Sequence, residues 1–282
     1  MPSAPEGRRT PAASGAAIHL TLLCLSAVFI VPLVLMLSTA LKLPSQVVSS
    51  TPQIIPHPFV WHNFVAAVEA IPFVLYFRNT LIIAGLNVVG VTCSSAIVAY
   101  GFSRIRWAGR DAVFMFVIAT MIMPTQVTLI PLYIVFRSLG WVNTFYPLVV
   151  PAFFGDAFSI FLLRQFFMTL PIELNEAAEM DGAGELTIFL RCILPLCKPA
   201  LMTVALFQFL YSWNDFLGPL IYLNSTRLYT LSLGLESYMG AHFTEWTLLM
   251  AASTIITLPV VVMFFFTQRS FVRGISFGGV RG

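Results

Sequence analysis

Long apolar blocks alternate with short polar stretches along almost the whole chain. Residues 18–40 carry no charged side chain, and as helix they extend about 30 Å, enough to cross the hydrocarbon core of a bilayer. Blocks at 78–102, 112–134, 145–163, 200–222 and 246–268 are each long enough to do the same. The pattern therefore predicts an all-α integral membrane protein with six transmembrane helices. Ser38-Thr39-Ala40 could pass for a signal-peptidase site. The apolar run before it is longer than the roughly 7 to 15 residues of a signal h-region, so an uncleaved first helix is expected. Residues 43–72, rich in Pro and Ser, read as a loop with one short helix near 63–70.

One stretch departs from this pattern. Residues 176–195 hold Glu176, Glu179, Asp181 and Glu185, four of the chain's twelve acidic residues. Pro171 suits a first helical turn, and Glu173, Glu176 and Glu179 lie toward the positive end of a helix dipole. Gly182 and Gly184 break that helix. Leu186, Phe189, Leu190, Ile193 and Leu194 then follow the spacing of one helical face until Pro195 ends the run. Two short helices joined by a glycine turn are expected, one face apolar and the other wet, a pattern that by itself also fits a plain interfacial loop.

Composition agrees with the pattern. At 282 residues, 58% hydrophobic and 10% charged, with a mean hydropathy of +0.88, the chain is too apolar for a soluble domain of its size. Lys and Arg collect in cytoplasmic loops. With the N-terminus inside, that face holds eleven of them, including Arg104, Arg106, Arg110, Arg164, Arg191 and Lys198, against Lys42, Arg78, Arg137 and Arg227 outside. Both termini and the 176–195 stretch are thus expected in the cytoplasm, and the net charge of +3 reflects topology rather than nucleic-acid binding. The domain reading is a cytoplasmic arm at 1–17, a six-helix domain at 18–268 with its polar loop at 171–198, and a cytoplasmic tail at 269–282.

Candidate chemistry is sparse. Cys24, Cys93, Cys192 and Cys197 form no Cys-x-x-Cys pair, and His57 and His62 have no third ligand nearby, so neither a disulfide framework nor a metal site is expected. Lys42 precedes Leu43 and Lys198 precedes Pro199, so the chain has no P-loop. It also lacks HExxH and Gly-x-Ser-x-Gly, which leaves a membrane hydrolase unsupported. Ionisable groups inside spans are costly and face a bundle interior or a water-filled path. Asp156, expected mid-span in the fourth helix, and Asp215, in the outer half of the fifth, are candidate pathway residues. Gln208, Tyr211, Ser212, Trp213 and Asn214 surround Asp215 with polar groups and ring faces that suit a carbohydrate. Asn87, Thr92, Ser94 and Ser95 read as helix-packing residues. Pro124, Pro131, Pro147, Pro151 and Pro259 suggest kinks.

The order Glu176-Ala177-Ala178, then Gly182, then Leu194-Pro195 resembles the EAA loop of the membrane subunits of bacterial ABC importers, with Cys192 where that family usually has Ile. In that family the loop is the coupling helix held in a cleft of the ATPase subunit. The runs from Trp213 to Leu220, from Phe161 to Phe167 and from Phe271 to Gly282 resemble the carbohydrate branch, in particular the second permease of maltose, multiple-sugar, trehalose and glycerol-3-phosphate importers. The resemblance implies a permease that is not itself an enzyme, with ATP and Mg bound on a separate ABC ATPase dimer. It also implies a homologous second permease, an extracytoplasmic substrate-binding protein and a sugar substrate, in the lipid of the cytoplasmic membrane. Carried over residue by residue, it makes Glu176, Ala177, Ala178, Gly182, Leu186, Phe189, Leu190, Leu194 and Pro195 the coupling surface. Arg273, Gly274, Gly278 and Gly279 become tail contacts with the ATPase, and the loop 223–245 reaches toward the binding protein. Two rivals are an ion-coupled transporter working through Asp156 or Asp215 and a membrane assembly protein that uses the polar hairpin for docking.

Overall fold

The computed structural model of the chain describes residues 12–49, 51, 53–240 and 243–276, with 12–14 and 269–276 described by their backbone alone. Among the described residues regular structure is helical, apart from one isolated antiparallel bridge between Met239 and Thr244. The principal helices are α1 (Ala12–Ala40), α2 (His62–Ala70), α3 (Phe73–Ser103), α4 (Arg110–Thr120), α5 (Thr125–Ser138) and α6 (Ala157–Thr169). They continue with α7 (Glu173–Met180), α8 (Glu185–Leu196), α9 (Lys198–Asn214), α10 (Leu217–Tyr222) and α11 (Trp246–Ser276).

Gly15–Ala40, Phe73–Ser103, Tyr146–Thr169 and Trp246–Gln268 are long and apolar enough to cross a membrane. The total reaches six only if each of two bent pairs, α4 with α5 and α8 with α9, is one span. The straight helix expected over 112–134 is in fact bent by 96° between α4 and α5. Pro124 accounts for the break, since it cannot donate a helical hydrogen bond and disfavours helical backbone in Met123 before it. The span expected at 200–222 differs too. Its helix stops at Asn214, and a short second piece begins at Leu217.

The chain divides into two compact units, 1–67 with 238–255, and 68–237 with 256–282. In the first, α1 exposes its apolar side chains along nearly its whole length, as a helix facing lipid or another chain would. Asn63 fixes the loop after α1, its amide donating to Ala40 O and Lys42 O at 2.8 Å each. Tyr238 donates its hydroxyl to Ala67 O.

In the second unit α3 is the central helix, packed on α6 and α9. Ala84, Ser95, Ala96 and Ala99 are buried along it, and such small side chains allow close backbone approach. At Gly90 a Cβ would stand 3.0 Å from the Phe153 ring. The core gathers Val91, Ala99 and Tyr100 from α3 with Ile160, Leu163 and Phe167 from α6, Ile188, Phe189 and Ile193 from α8, and Val204 from α9. Polar groups tie the segment after α10 to this core. Asn79 donates to Arg227 O at 2.9 Å and Tyr229 O at 3.0 Å, and Leu231 N–H donates to Thr80 Oγ1 at 2.9 Å.

Candidate functional site

Within 171–198 the chain forms two helices around a glycine turn, the first beginning at Glu173 rather than at Pro171. Glu173 and Glu176 occupy the first turn of α7. At its end Asp181 is the C-cap and Gly182 takes φ 81°, the left-handed region in which glycine lacks the usual Cβ penalty. Gly182 N–H donates to Glu179 O and Ala183 N–H to Ala178 O, both at 2.9 Å. That pair of bonds is the Schellman motif, and it satisfies carbonyls the helix end leaves over.

α8 departs from the expected face. Residues 188–193 form a π-helical turn ahead of Pro195, and the helix runs on to Leu196 instead of stopping at the proline. A proline lacks the N–H and crowds the carbonyl four residues back, and the wider turn accommodates both defects. The widening also rotates the side chains. Ile188, Phe189 and Ile193 are buried in the core and Leu194 packs half-buried against it, whereas Leu186 and Leu190 are 70% and 50% exposed. Glu176, Ala177, Met180, Gly182 and Pro195 are exposed as well, and Ala178 is half-buried. The hairpin thus has a rooted side and an outward ridge on which Met180 and Leu186 lie bare.

Three residues that sequence reasoning missed hold the root. Arg104, just past α3, donates through Nη2 to Phe167 O at 2.5 Å and Leu170 O at 2.8 Å, and through Nη1 to Pro171 O at 3.4 Å. A cation there caps the negative end of α6. Tyr100, buried, donates its hydroxyl to Glu185 Oε2 at 2.5 Å and receives Asn175 Nδ2 at 3.4 Å, while its ring lies 4.9 Å from that of Phe189. Both arms of the hairpin therefore meet the end of one helix. Arg104 read from sequence only as a topogenic charge, and nothing near Tyr100 or Asn175 marks them.

Elsewhere in the same unit a cavity of about 650 Å³ opens among α3, α5, α6, α9 and α10. It brings together four of the six predicted path residues, Asp156, Gln208, Tyr211 and Asp215, with their expected neighbour Ser212, and adds Asn87 and Ser159. Asp156 is not mid-helix as expected. It is the N-cap of α6 after the break at Gly155 (φ 89°), and its Oδ2 accepts from Ser159 N–H and Oγ at 2.8 Å each. Asp215 likewise stands at a break, accepting from Gly218 N–H at 3.0 Å. Capping explains why two carboxylates persist in apolar stretches: each satisfies amides freed by an interrupted helix. Asn87 and Gln208 both donate to Ser212 Oγ, at 3.0 and 3.1 Å. Asn87 packs α3 on α9, as its sequence reading held, and reaches the cavity too.

Trp213 and Asn214 are not brought to this cavity. Trp213 is fully buried, stacked on Phe209 and edge-on to Phe77, with Nε1 donating to Ile256 O at 3.2 Å. Asn214 is exposed and turns its amide back to Leu210 O. Of the predicted tail contacts, Arg273 and Gly274 extend the backbone of α11, and Gly278 and Gly279 lie outside the described residues. Among the described residues no group of three or more His, Cys, Asp or Glu could hold a metal ion.

The arabinooligosaccharides transport system permease protein AraQ of Bacillus subtilis is 33% identical over 73% of this chain and 73% of its own length. The melibiose/raffinose/stachyose import permease protein MelC of the same organism is 32% identical over 89% of this chain and 91% of its own. A bacterial ABC transporter involved in import of the acidic polysaccharide alginate has a chain of the same fold, with a TM-score of 0.78 and 22% identity over 95% of this chain and all of that one. Residues 88–277, which include the hairpin and most of the cavity, match the binding-protein-dependent transport system inner membrane component family. With a multi-pass helical architecture and a rooted, outward-facing hairpin, this chain belongs to that family of ABC importer permeases.

Proposed function

We propose that this chain carries a sugar or sugar derivative across the cytoplasmic membrane by alternating access, paired with a second permease and driven by a separate ABC ATPase dimer. The observation that carries the coupling is the two-sided hairpin, with Met180, Leu186 and Leu190 bare on one side and Tyr100, Arg104 and the buried Ile188, Phe189 and Ile193 on the other. An exposed apolar ridge on a rigid base fits a partner's cleft.

Movement of the ridge has two direct routes to the cavity. α3 carries Tyr100 at the hairpin and Asn87 at the cavity, thirteen residues apart, about 20 Å along a helix. α8 meets α9 at Cys197, and α9 carries Gln208, Tyr211 and Ser212. When the ATPases close and shift the hairpin, these two helices move together because the core between them is packed. Packed cores switch between arrangements rather than deform continuously.

On this reading the hairpin and both termini are cytoplasmic, the end of the chain reaches the ATPases, and the loop 223–245 meets the loaded binding protein. The sugar assignment rests on what the relatives' names say they carry. The test is ATP hydrolysis and uptake in proteoliposomes holding this chain, its partner permease, the ATPase and the binding protein, across a panel of sugars. Hydrolysis stimulated by one loaded binding protein, with uptake of that sugar, is expected. Uptake that ignores the ATPase and follows a proton or sodium gradient would overturn the reading.

A further inference from the structure

Charge and unmet hydrogen bonding in the cavity both bear on what it can hold. Among the described residues its lining includes the carboxylates of Asp156 and Asp215 and no Lys, Arg or His. Asn87 is only 6% exposed, its amide N–H is taken by Ser212, and its Oδ1 has no hydrogen-bond partner. A buried acceptor without a donor is costly, and here it borders an open cavity. Asp156 forms its hydrogen bonds through Oδ2, leaving Oδ1 as a further acceptor. Beside neutral hydroxyls such as those of Thr128 and Tyr211, the site thus presents unmet acceptors and, among the described residues, no cation to balance a negative charge.

We propose that this cavity selects an uncharged, hydroxyl-donating oligosaccharide and rejects uronates and phosphorylated sugars, with Asn87 a specificity residue that accepts a substrate hydroxyl. The inference rests on reading the chain as an importer permease, and it narrows that reading's substrate class. Sugar hydroxyls donate well to a carboxamide or carboxylate oxygen, and the apolar walls from Leu129, Leu132 and Phe136 suit the carbon faces of sugar rings. An anion would meet two like charges in a site of low dielectric without a cation to offset them. Sharing a fold with an alginate importer thus does not carry over that protein's acidic substrate.

The test uses the assembled importer, nucleotide-free in detergent, titrated calorimetrically with raffinose, maltotriose and arabinotriose as neutral probes and with trigalacturonate and glucose 6-phosphate as anionic ones. At least one neutral probe is expected to bind, and about tenfold or more tighter than either anion. Asn87→Ala is expected to weaken that binding about tenfold, the effect of one lost hydrogen bond. Binding of an anion as tightly as the best neutral probe, binding of no neutral probe, or unchanged affinity in Asn87→Ala would each overturn the proposal. The wild-type comparison stands even if the variant fails to fold. The underlying reading is scored separately, by whether the loaded binding protein stimulates ATP hydrolysis in proteoliposomes.

Discussion

Tyr100→Phe removes one oxygen atom from the root of the hairpin and leaves the ring contact with Phe189 in place. Two hydrogen bonds are lost, the short one to Glu185 and the longer one from Asn175. A hydrogen bond to a charged acceptor contributes about 1.5 to 3 kcal/mol. Glu185 is solvent-exposed, so water competes for its carboxylate and the lower end applies. The Asn175 bond, at 3.4 Å, adds little, but Asn175 is 4% exposed and its Oδ1 is already unpaired, so freeing Nδ2 removes its remaining side-chain partner. About 1 to 2 kcal/mol should thus be lost from the attachment of the hairpin to α3, a five- to thirtyfold rise in the detached population. The assay is the ratio of sugar taken up to ATP hydrolysed in proteoliposomes, with assembly checked by co-purification of the subunits. With the hairpin as the proposed coupling element, uptake per ATP is expected to fall while basal hydrolysis persists, because a loosened hairpin no longer pulls α3. A Tyr100→Phe, Glu185→Gln double-mutant cycle isolates the pair, and a coupling energy near zero together with unchanged uptake per ATP would refute the reasoning.

Arg104→Leu should cost about 2 to 3 kcal/mol, since three backbone carbonyls at the end of α6 and the entry to the hairpin lose a charged donor. Faster proteolysis within 170–185 and a lower Tm would register it. Gly182→Val should abolish uptake while leaving membrane insertion intact. A Cβ there meets nothing within 4 Å, so the defect comes from the left-handed backbone and from whatever docks on the ridge. Gly182→Asn, which tolerates that backbone, should retain much of the activity. Gly218→Ala would place a Cβ 2.4 Å from Asp215 Oδ2 and 2.9 Å from Leu148, forcing Asp215 off its cap. A stability loss of about 1 kcal/mol and a raised KM for uptake are expected, read from thermal unfolding and transport kinetics. Asn63→Leu removes both bonds to the end of α1 and should lower Tm by an amount equivalent to about 1 to 3 kcal/mol.

Four of the six expected apolar spans, the helix at 62–70 and the glycine-jointed hairpin were legible in the sequence because each depends on local patterning. A bilayer demands about 20 apolar residues in a row, and a left-handed helix end demands a residue such as Gly182. Family membership was legible for a similar reason, since the order Glu176 to Pro195 is a linear string. Tertiary structure decided which side chains meet. Asn87 finds Ser212 across 125 residues and Tyr100 finds Glu185 across 85, and no periodicity within either segment encodes that pairing. The same packing took Trp213 out of the expected path and into the core, and it buried Phe189 while leaving Leu186 and Leu190 exposed. It also made Asp156 and Asp215, both expected inside unbroken helices, the caps at helix breaks. Sequence pattern determines where a helix can form and which stretch must be apolar. Where a helix breaks, and what a polar side chain faces once it does, is settled by the neighbours that close in around the freed backbone groups.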